Sequence, residues 1–117
     1  MRTREILAQA KKDGKYAGKR AASWVFDGNT NEETYRRFLK GIEDGDPMVL
    51  DSVNEPNLSG EYAGDPTSQS LAEEYGLDQD DARYEWLSDK MCTAWEEASS
   101  NAFWWELERV CRYQLAK

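Results

Sequence analysis

The stretch DQDDARYEWLSDKMCTAWEEASSNAFWWELERVCRYQLAK, residues 78–117, contains neither glycine nor proline and decides the fold. On a helical wheel with Leu87 at zero and about 100° per residue, most apolar side chains in the first part of this stretch share an arc of about 80°. Such an arc is typical of the core-facing stripe of an amphipathic helix. We therefore predict one long C-terminal helix with a core stripe of Tyr84, Leu87, Met91, Ala94, Trp95, Ala98, Ala102 and Trp105.

The apolar pattern changes from Phe103 onward, where large side chains point all round the predicted helix. A helix that is apolar on every side is buried on every side, so other parts of the chain or a partner must surround this end. The run Ser99-Ser100-Asn101 stands just before the change. Because these residue types compete for backbone hydrogen bonds, we expect a bend or break of the helix there.

Carboxylates occupy a second arc of about 80° on the other side of the same predicted helix. Trp86 and Trp104 lie at about 260°, roughly opposite the core stripe, and tryptophan is enriched in interface hot spots. The alternatives are a solvated acidic face that serves only solubility, and a short helix or loop packed over the tryptophans. We predict a partner-binding surface made of Asp78, Asp81, Glu85, Asp89, Glu96, Trp86 and Trp104.

Glycine, proline and capping residues divide the rest of the chain into shorter helices. No segment alternates polar and apolar residues over the length of a strand. The sequence therefore predicts a single all-α domain over residues 1–117, with about four to five helices. The predicted elements are a helix from Thr3 to Asp27 before Gly28, a helix from the Thr30–Glu33 capping box to Asp44 before Gly45, a short helix from Asp46-Pro47, a loop from Asn54 to Gly64, a helix from Asp65-Pro66 to Gly76, and the last helix from Asp78.

The first predicted helix carries small residues where a partner helix would contact it. Leu7, Ala10, Gly14, Ala17, Ala21 and Trp24 are spaced alternately by three and four, as in a heptad pattern. Gly14 and Gly18 each cost about 1 kcal/mol relative to alanine inside a helix, so we expect them to permit a close contact. The partner is either the C-terminal helix or a second copy of the chain.

The composition excludes several classes of catalytic site. The chain has 117 residues, a net charge of −8 and no histidine, so it cannot form a Ser-His-Asp or Cys-His centre. It contains no glycine-rich phosphate-binding loop and no calcium-binding loop. The acidic runs 44–46 and 78–81 are better explained as helix ends, where carboxylates cap backbone amides. We expect no enzymatic activity, no cofactor and no metal.

The two thiols and the hydropathy indicate a cytoplasmic protein. Cys92 and Cys111 are 19 residues apart on one predicted helix, which places them about 28 Å apart, too far for a mutual disulfide. We therefore expect both to be reduced, as is usual in the cytoplasm. The chain has no run of 18 apolar residues, and its charged start does not resemble a secretory signal, so we expect neither a membrane span nor export.

Charge is distributed unevenly along the chain. Residues 1–26 hold seven basic and two acidic side chains, whereas residues 43–97 hold 16 acidic and two basic ones. One interpretation is that the basic helix neutralises the acidic ones within the molecule. The other is that the acidic surface imitates a nucleic-acid backbone or steers a basic protein onto itself. Direct nucleic-acid binding through the first helix is a further alternative, although the acidic remainder would repel phosphate.

Three stretches resemble small orphan proteins of actinobacterial phages and mobile elements. They are residues 21–30 (AASWVFDGNT), 35–47 (YRRFLKGIEDGDP) and 58–64 (LSGEYAG), within a similarity that covers about residues 15–75. These proteins have no assigned activity, so the resemblance transfers no functional residue. It implies a context in which small acidic helical proteins resemble anti-CRISPR and anti-restriction inhibitors that mimic DNA.

Together these observations favour a non-enzymatic phage or mobile-element accessory protein. We expect it to bind and inhibit a host protein with a basic nucleic-acid-binding surface, in the host cytoplasm. The alternatives are a homo-oligomeric helical protein, such as a homodimer joined by exposed aromatic residues, and a small nucleic-acid binder that uses the basic first helix.

Overall fold

The computed structural model describes residues 1–27, 31–58 and 66–117. In these ranges the chain forms α-helices and no strand, which confirms the predicted all-α class and the long C-terminal helix. Helix α5 has 32 residues and is therefore about 48 Å long, close to the 53 Å longest dimension of the molecule. The helices are α1 (Thr3–Val25), α2 (Glu32–Asp44), α3 (Pro47–Leu50), α4 (Ser68–Glu74) and α5 (Tyr84–Leu115).

The two longest helices, α1 and α5, run parallel and in direct contact. Gly14 faces the backbone of Trp95, and Gly18 faces the backbone of Ser99, an offset of 81 residues in both cases. A Cβ atom built on either glycine would lie closer than 3.0 Å to the facing carbonyl oxygen. Only glycine therefore allows the two backbones to approach this closely, and the predicted contact between the first and last helices is present.

The buried residues of both helices are spaced by four. Since four residues turn a helix by about 400°, each step moves the buried position about 40° around the helix axis. The contact line therefore winds around α5 instead of remaining in one arc. The buried positions in this series are Ile6, Ala10, Gly14, Gly18 and Ala22 on α1, and Leu87, Met91, Trp95, Ser99, Phe103, Leu107 and Cys111 on α5; Ala102 is also buried but lies outside the series.

Two predictions about which residues lie in the core are wrong because the contact line winds. The heptad seam of α1 is wrong in its spacing, and Trp24 at its end is 57% exposed. Trp105, placed in the core stripe of the last helix, is 58% exposed because the contact line has moved away from its side of α5. The same drift explains why Phe103, Leu107 and Cys111 are all buried although they point in different directions.

A break at Ser99-Ser100-Asn101 is wrong, because α5 is continuous through these residues. Ser99 is fully buried, and its hydroxyl donates a hydrogen bond of 3.0 Å to the Glu96 carbonyl oxygen of its own helix. That bond satisfies the buried hydroxyl without interrupting the backbone ladder. The backbone carbonyl of Ser99 faces Gly18, so this position lies in the close contact between the two helices.

The remaining elements pack along the helix pair and carry the chain back to its starting end. Near the C-terminal end of α5, the Arg112 guanidinium donates a hydrogen bond of 2.9 Å to Glu43 of α2. Near the middle of α1, Tyr75, which follows α4, donates a hydrogen bond of 2.5 Å to Asp13. Burial and this hydrogen bond raise the pKa of Tyr75 well above its usual value, so the hydroxyl stays a donor at ordinary pH.

Local signals placed several helix ends correctly. Helix α2 ends at Gly45, whose φ of 66° is left-handed, and α3 begins after the Asp46 cap with Pro47 in its first turn. The cap of α2 is Asn31, which accepts a hydrogen bond from the Thr34 amide, and not Thr30 as predicted. Thr30 itself lies outside the described residues, as do Gly28 and residues 59–65, including Asp65 and part of the predicted loop.

Three further boundaries differ from prediction. Helix α1 ends at Val25 and not at Asp27. Helix α4 begins after Thr67, where Thr67 and Ser70 form a reciprocal capping box, and not at Asp65-Pro66. Helix α5 begins at Tyr84 and not at Asp78, because the Asp81 carboxylate accepts a hydrogen bond of 2.8 Å from the Arg83 amide and stabilises a turn there.

The close contact generates a prediction about Gly14 and Gly18. In an exposed helix, replacing glycine with alanine stabilises by about 1 kcal/mol. Here we expect Gly14→Ala or Gly18→Ala to lower the free energy of unfolding by about 1–3 kcal/mol, since the new methyl group overlaps a backbone carbonyl. Chemical denaturation measures the change, with Lys12→Ala on the exposed side of α1 as control. Unchanged or increased stability of both glycine variants would contradict the contact.

Candidate protein-binding surface

Three of the five predicted carboxylates lie together on one exposed side of α5. Glu85, Asp89 and Glu96 fall within an arc of about 40° and extend over about 16 Å of the helix. All three are exposed, and none forms an ion pair with another residue in the described part of the chain. We call these three residues the acidic face.

Asp78 and Asp81 are not on this helix face, contrary to prediction, because both precede α5. Asp78 is exposed in the preceding turn. Asp81 forms an ion pair of 2.8 Å with Arg83, and hydrogen bonds from Arg83 lower the pKa of Asp81 to about 2. Its charge is therefore already compensated within the molecule.

Arg83 uses the same guanidinium to hold the start of α1. It donates hydrogen bonds to the Met1 carbonyl oxygen, 3.2 Å from Nη1, and to the Thr3 hydroxyl, also at 3.2 Å. Asp81 and Arg83 thus clasp the N-terminal ends of α1 and α5 together. The structure assigns Asp81 to this clasp, where it fixes the position of the first turn of α5.

The two predicted tryptophans have different surroundings. Trp86 is 46% exposed, and the Lys90 ammonium lies 5.9 Å from the centre of its ring. Trp104 is partly buried, so its expected position on an exposed face is wrong. Its indole N–H donates to the Glu55 carboxylate, which also accepts a hydrogen bond of 3.2 Å from the Ser100 hydroxyl. The segment that contains Glu55 therefore packs over Trp104, as in the alternative considered from the sequence.

Sequence reasoning missed a groove between α1 and α5 on the side away from α4. The row Ala94, Ala98 and Ala102 of α5 forms its floor. One wall is the lysine row Lys11, Lys15 and Lys19 of α1, and the opposite wall is formed by Glu97, Asn101 and Trp105 of α5. The groove has a volume of about 560 Å³. The spacing of four in both rows was visible in the sequence, but only the winding contact brings them together.

The basic side chains of α1 lie on the surface and form no ion pairs within the described residues. In residues 1–27, 31–58 and 66–117, five ion pairs join arginines to acidic residues, and none includes a basic residue of α1. The basic helix therefore forms no direct ion pairs in the described residues, although it lies beside the acidic α5 as the intramolecular interpretation expects. The molecule presents a basic side on α1 and an acidic side on α5.

Potential metal ligands and the two thiols are among the groups that could carry chemistry. No group of three or more potential metal ligands occurs there. Cys92 and Cys111 are both free thiols on α5, as expected. Burial raises the pKa of the Cys111 thiol to about 11, and burial also raises the pKa of Cys92, so both are protonated and weak nucleophiles at neutral pH.

Comparison with known proteins gives no relative from which a function could be inferred, so the surface is the basis for proposing one. No family model, curated protein or solved structure matches the chain. Among the described helices, none is long and apolar enough to cross a membrane.

The different surroundings of the two tryptophans generate a prediction. We expect Trp104→Ala to lower the free energy of unfolding by about 2–4 kcal/mol, because it removes a ring packed against Phe103 and leaves Glu55 without its indole donor. The Trp86→Ala change should stay within about 0.5 kcal/mol, as for most surface positions. Urea unfolding of both variants measures the difference. Equal losses for the two variants would show that the assignment of Trp104 to the interior is wrong.

Proposed function

We propose that the protein is a non-enzymatic binding protein that uses the acidic face to dock against a basic nucleic-acid-binding surface of another protein and to block it. The observation that carries the proposal is the set of three exposed carboxylates, Glu85, Asp89 and Glu96, without ion-pair partners among the described residues. They belong to a chain of net charge −8.

The fold supports this use by holding the carboxylates on a rigid element. Helix α5 is fixed at its start by the Arg83 clasp and near its end by the Arg112–Glu43 ion pair. Carboxylates on such a helix keep their spacing without an ordering step on binding, which favours association. Their field, together with the net charge, attracts a basic surface before contact and raises the association rate.

The spacing of the acidic face determines what kind of mimicry is proposed. Duplex DNA carries one negative charge per about 1.7 Å of its axis, whereas the acidic face has three over about 16 Å. Its charge density is too low to reproduce the phosphate pattern of a full binding site. We propose that it covers part of a basic site and excludes the nucleic acid sterically. The resemblance to phage accessory proteins supports a role as an anti-CRISPR or anti-restriction inhibitor in a host cytoplasm.

The acidic face is tested by removing its charge. We expect Glu85→Gln, Asp89→Asn and Glu96→Gln together to leave folding intact, because the Glu85–Asp89 pair at a spacing of four is mutually repulsive by about 0.2–0.5 kcal/mol. Retention of a basic protein from a host-cell lysate at low salt should fall at least about tenfold. The released partner should regain nucleic-acid binding in a fluorescence anisotropy assay.

The matched control neutralises three exposed carboxylates elsewhere, Glu33→Gln, Asp44→Asn and Asp51→Asn, and brings the net charge to the same −5. Equal loss of binding in both triple variants would show that only net charge matters. Retained binding by the acidic-face variant, with the salt dependence of the parent, would contradict the proposal.

An aromatic patch on α1 favours a second candidate function, homo-oligomerisation. Tyr16 and Trp24 are exposed, and the Arg20 guanidinium between them lies 4.9 Å from the centre of the Trp24 indole ring. Exposed tryptophan and arginine are typical of interface hot spots. Light scattering at increasing protein concentration distinguishes the candidates, since only an oligomer joined through this patch would dissociate on Trp24→Ala.

A further inference from the structure

The groove between α1 and α5 combines an apolar floor with unpaired positive charge. The floor is formed by the methyl groups of three alanines on successive turns of α5, Ala94, Ala98 and Ala102. A second concavity, lined by Leu7, Lys11, Lys90 and Ala94 among others, continues the groove toward the N-terminal ends of both helices. From Lys90 to Trp105 the groove extends over about 22 Å of α5, the length of a helix of about four turns.

The charge in this groove is opposite in sign to that of the whole molecule. Lys11, Lys15 and Lys19 stand on successive turns of α1 and form no ion pair with a described residue. The Lys19 ammonium lies 5.8 Å from the centre of the Trp105 ring. The hydrogen bond from Arg109 lowers the pKa of Glu106, and the charge of Lys19 adds to this effect. A row of cations beside an apolar strip is complementary to a helix that carries carboxylates beside a small apolar ridge.

Two other occupants fit the groove less well. A nucleic acid carries phosphates along both of its strands, and those beside Glu97 and Asp89 on the α5 side would be repelled, whereas a helix can carry its carboxylates only on the side that faces the lysine row. The alanine floor also offers no hydrogen-bond donor to a nucleic acid. A second copy of the chain lacks the necessary helix, because no exposed helix face in the described residues combines an apolar ridge with acidic flanks. The acidic face itself is interspersed with Cys92 and Thr93 and has no such ridge.

We infer that the groove between α1 and α5 binds an acidic amphipathic helix of a partner protein. Its small apolar residues lie on the Ala94–Ala98–Ala102 floor, and its carboxylates pair with Lys11, Lys15 and Lys19. Trp105, 58% exposed, packs against its end. This site is separate from the acidic face except for Asp89, which lies at one end of the groove, and it does not depend on the proposed function.

The probe for this site is a displayed library of random 16-residue peptides rich in helix-forming residues, selected against the full chain. The selected peptides should be acidic and amphipathic, and a fluorescent copy should bind with a defined Kd. The charge reversals Lys15→Glu and Lys19→Glu together should weaken binding at least about tenfold. The variant Ala98→Leu, which fills the floor without changing charge, should weaken it as well.

The matched control is Lys12→Glu with Lys40→Glu, two exposed lysines outside the groove that give the same change in net charge. Binding within about twofold of the parent is expected there, and circular dichroism confirms folding of every variant. Neutralising Glu85 and Glu96 should also leave peptide binding intact, which separates this site from the acidic face. Selection of neutral or basic peptides, equal loss in the control, or tighter binding of a 20-base-pair duplex at the same lysines would overturn the inference.

Discussion

The rest of the structure depends on the close parallel contact between α1 and α5. Gly14 and Gly18 lie against the backbone carbonyls of Trp95 and Ser99, and no larger residue fits at either position. Because the two helices point the same way, the chain must return along their full length between Val25 and Tyr84. Helices α2, α3 and α4 belong to this return: α2 and α4 contact α5, and α3 contacts α2.

The same contact arranges the charges of the molecule. Because the contact residues are spaced by four, the neighbouring rows of both helices also follow the spacing of four, and the two rows next to the contact are each of one residue type, lysine on α1 and alanine on α5. The lysine row of α1 therefore lies beside the alanine row of α5, while Glu85, Asp89 and Glu96 lie on another side of α5. A small acidic chain in this way presents a basic groove and an acidic face, which meet at Asp89, one for each proposed partner.

Local sequence signals predict much of the fold but less of the surface. Gly45 and the Asp46-Pro47 pair act through their own backbone geometry, so they located the end of α2 and the start of α3. Prediction from one helical arc assumes that the contact line stays on one side of a helix. This assumption placed Trp24 and Trp105 in the core, although both are exposed. The hydrogen bond from Trp104 to Glu55 spans 49 residues and leaves no local signal. Asp81 was assigned to the helix because the absence of glycine and proline does not reveal a turn made by side-chain capping.

The direction and register of α1 against α5 are tested most directly by distances between paired spin labels. Labels at Arg4 and Glu85, and at Ser23 and Arg109, are on exposed sites near matching ends of the two helices. A parallel pair predicts that both distances are short, about 10–25 Å, and that Arg4 to Arg109 is long, about 36 Å or more along the helix axis. A short Arg4–Arg109 distance together with a long Arg4–Glu85 distance would show antiparallel helices and contradict the account.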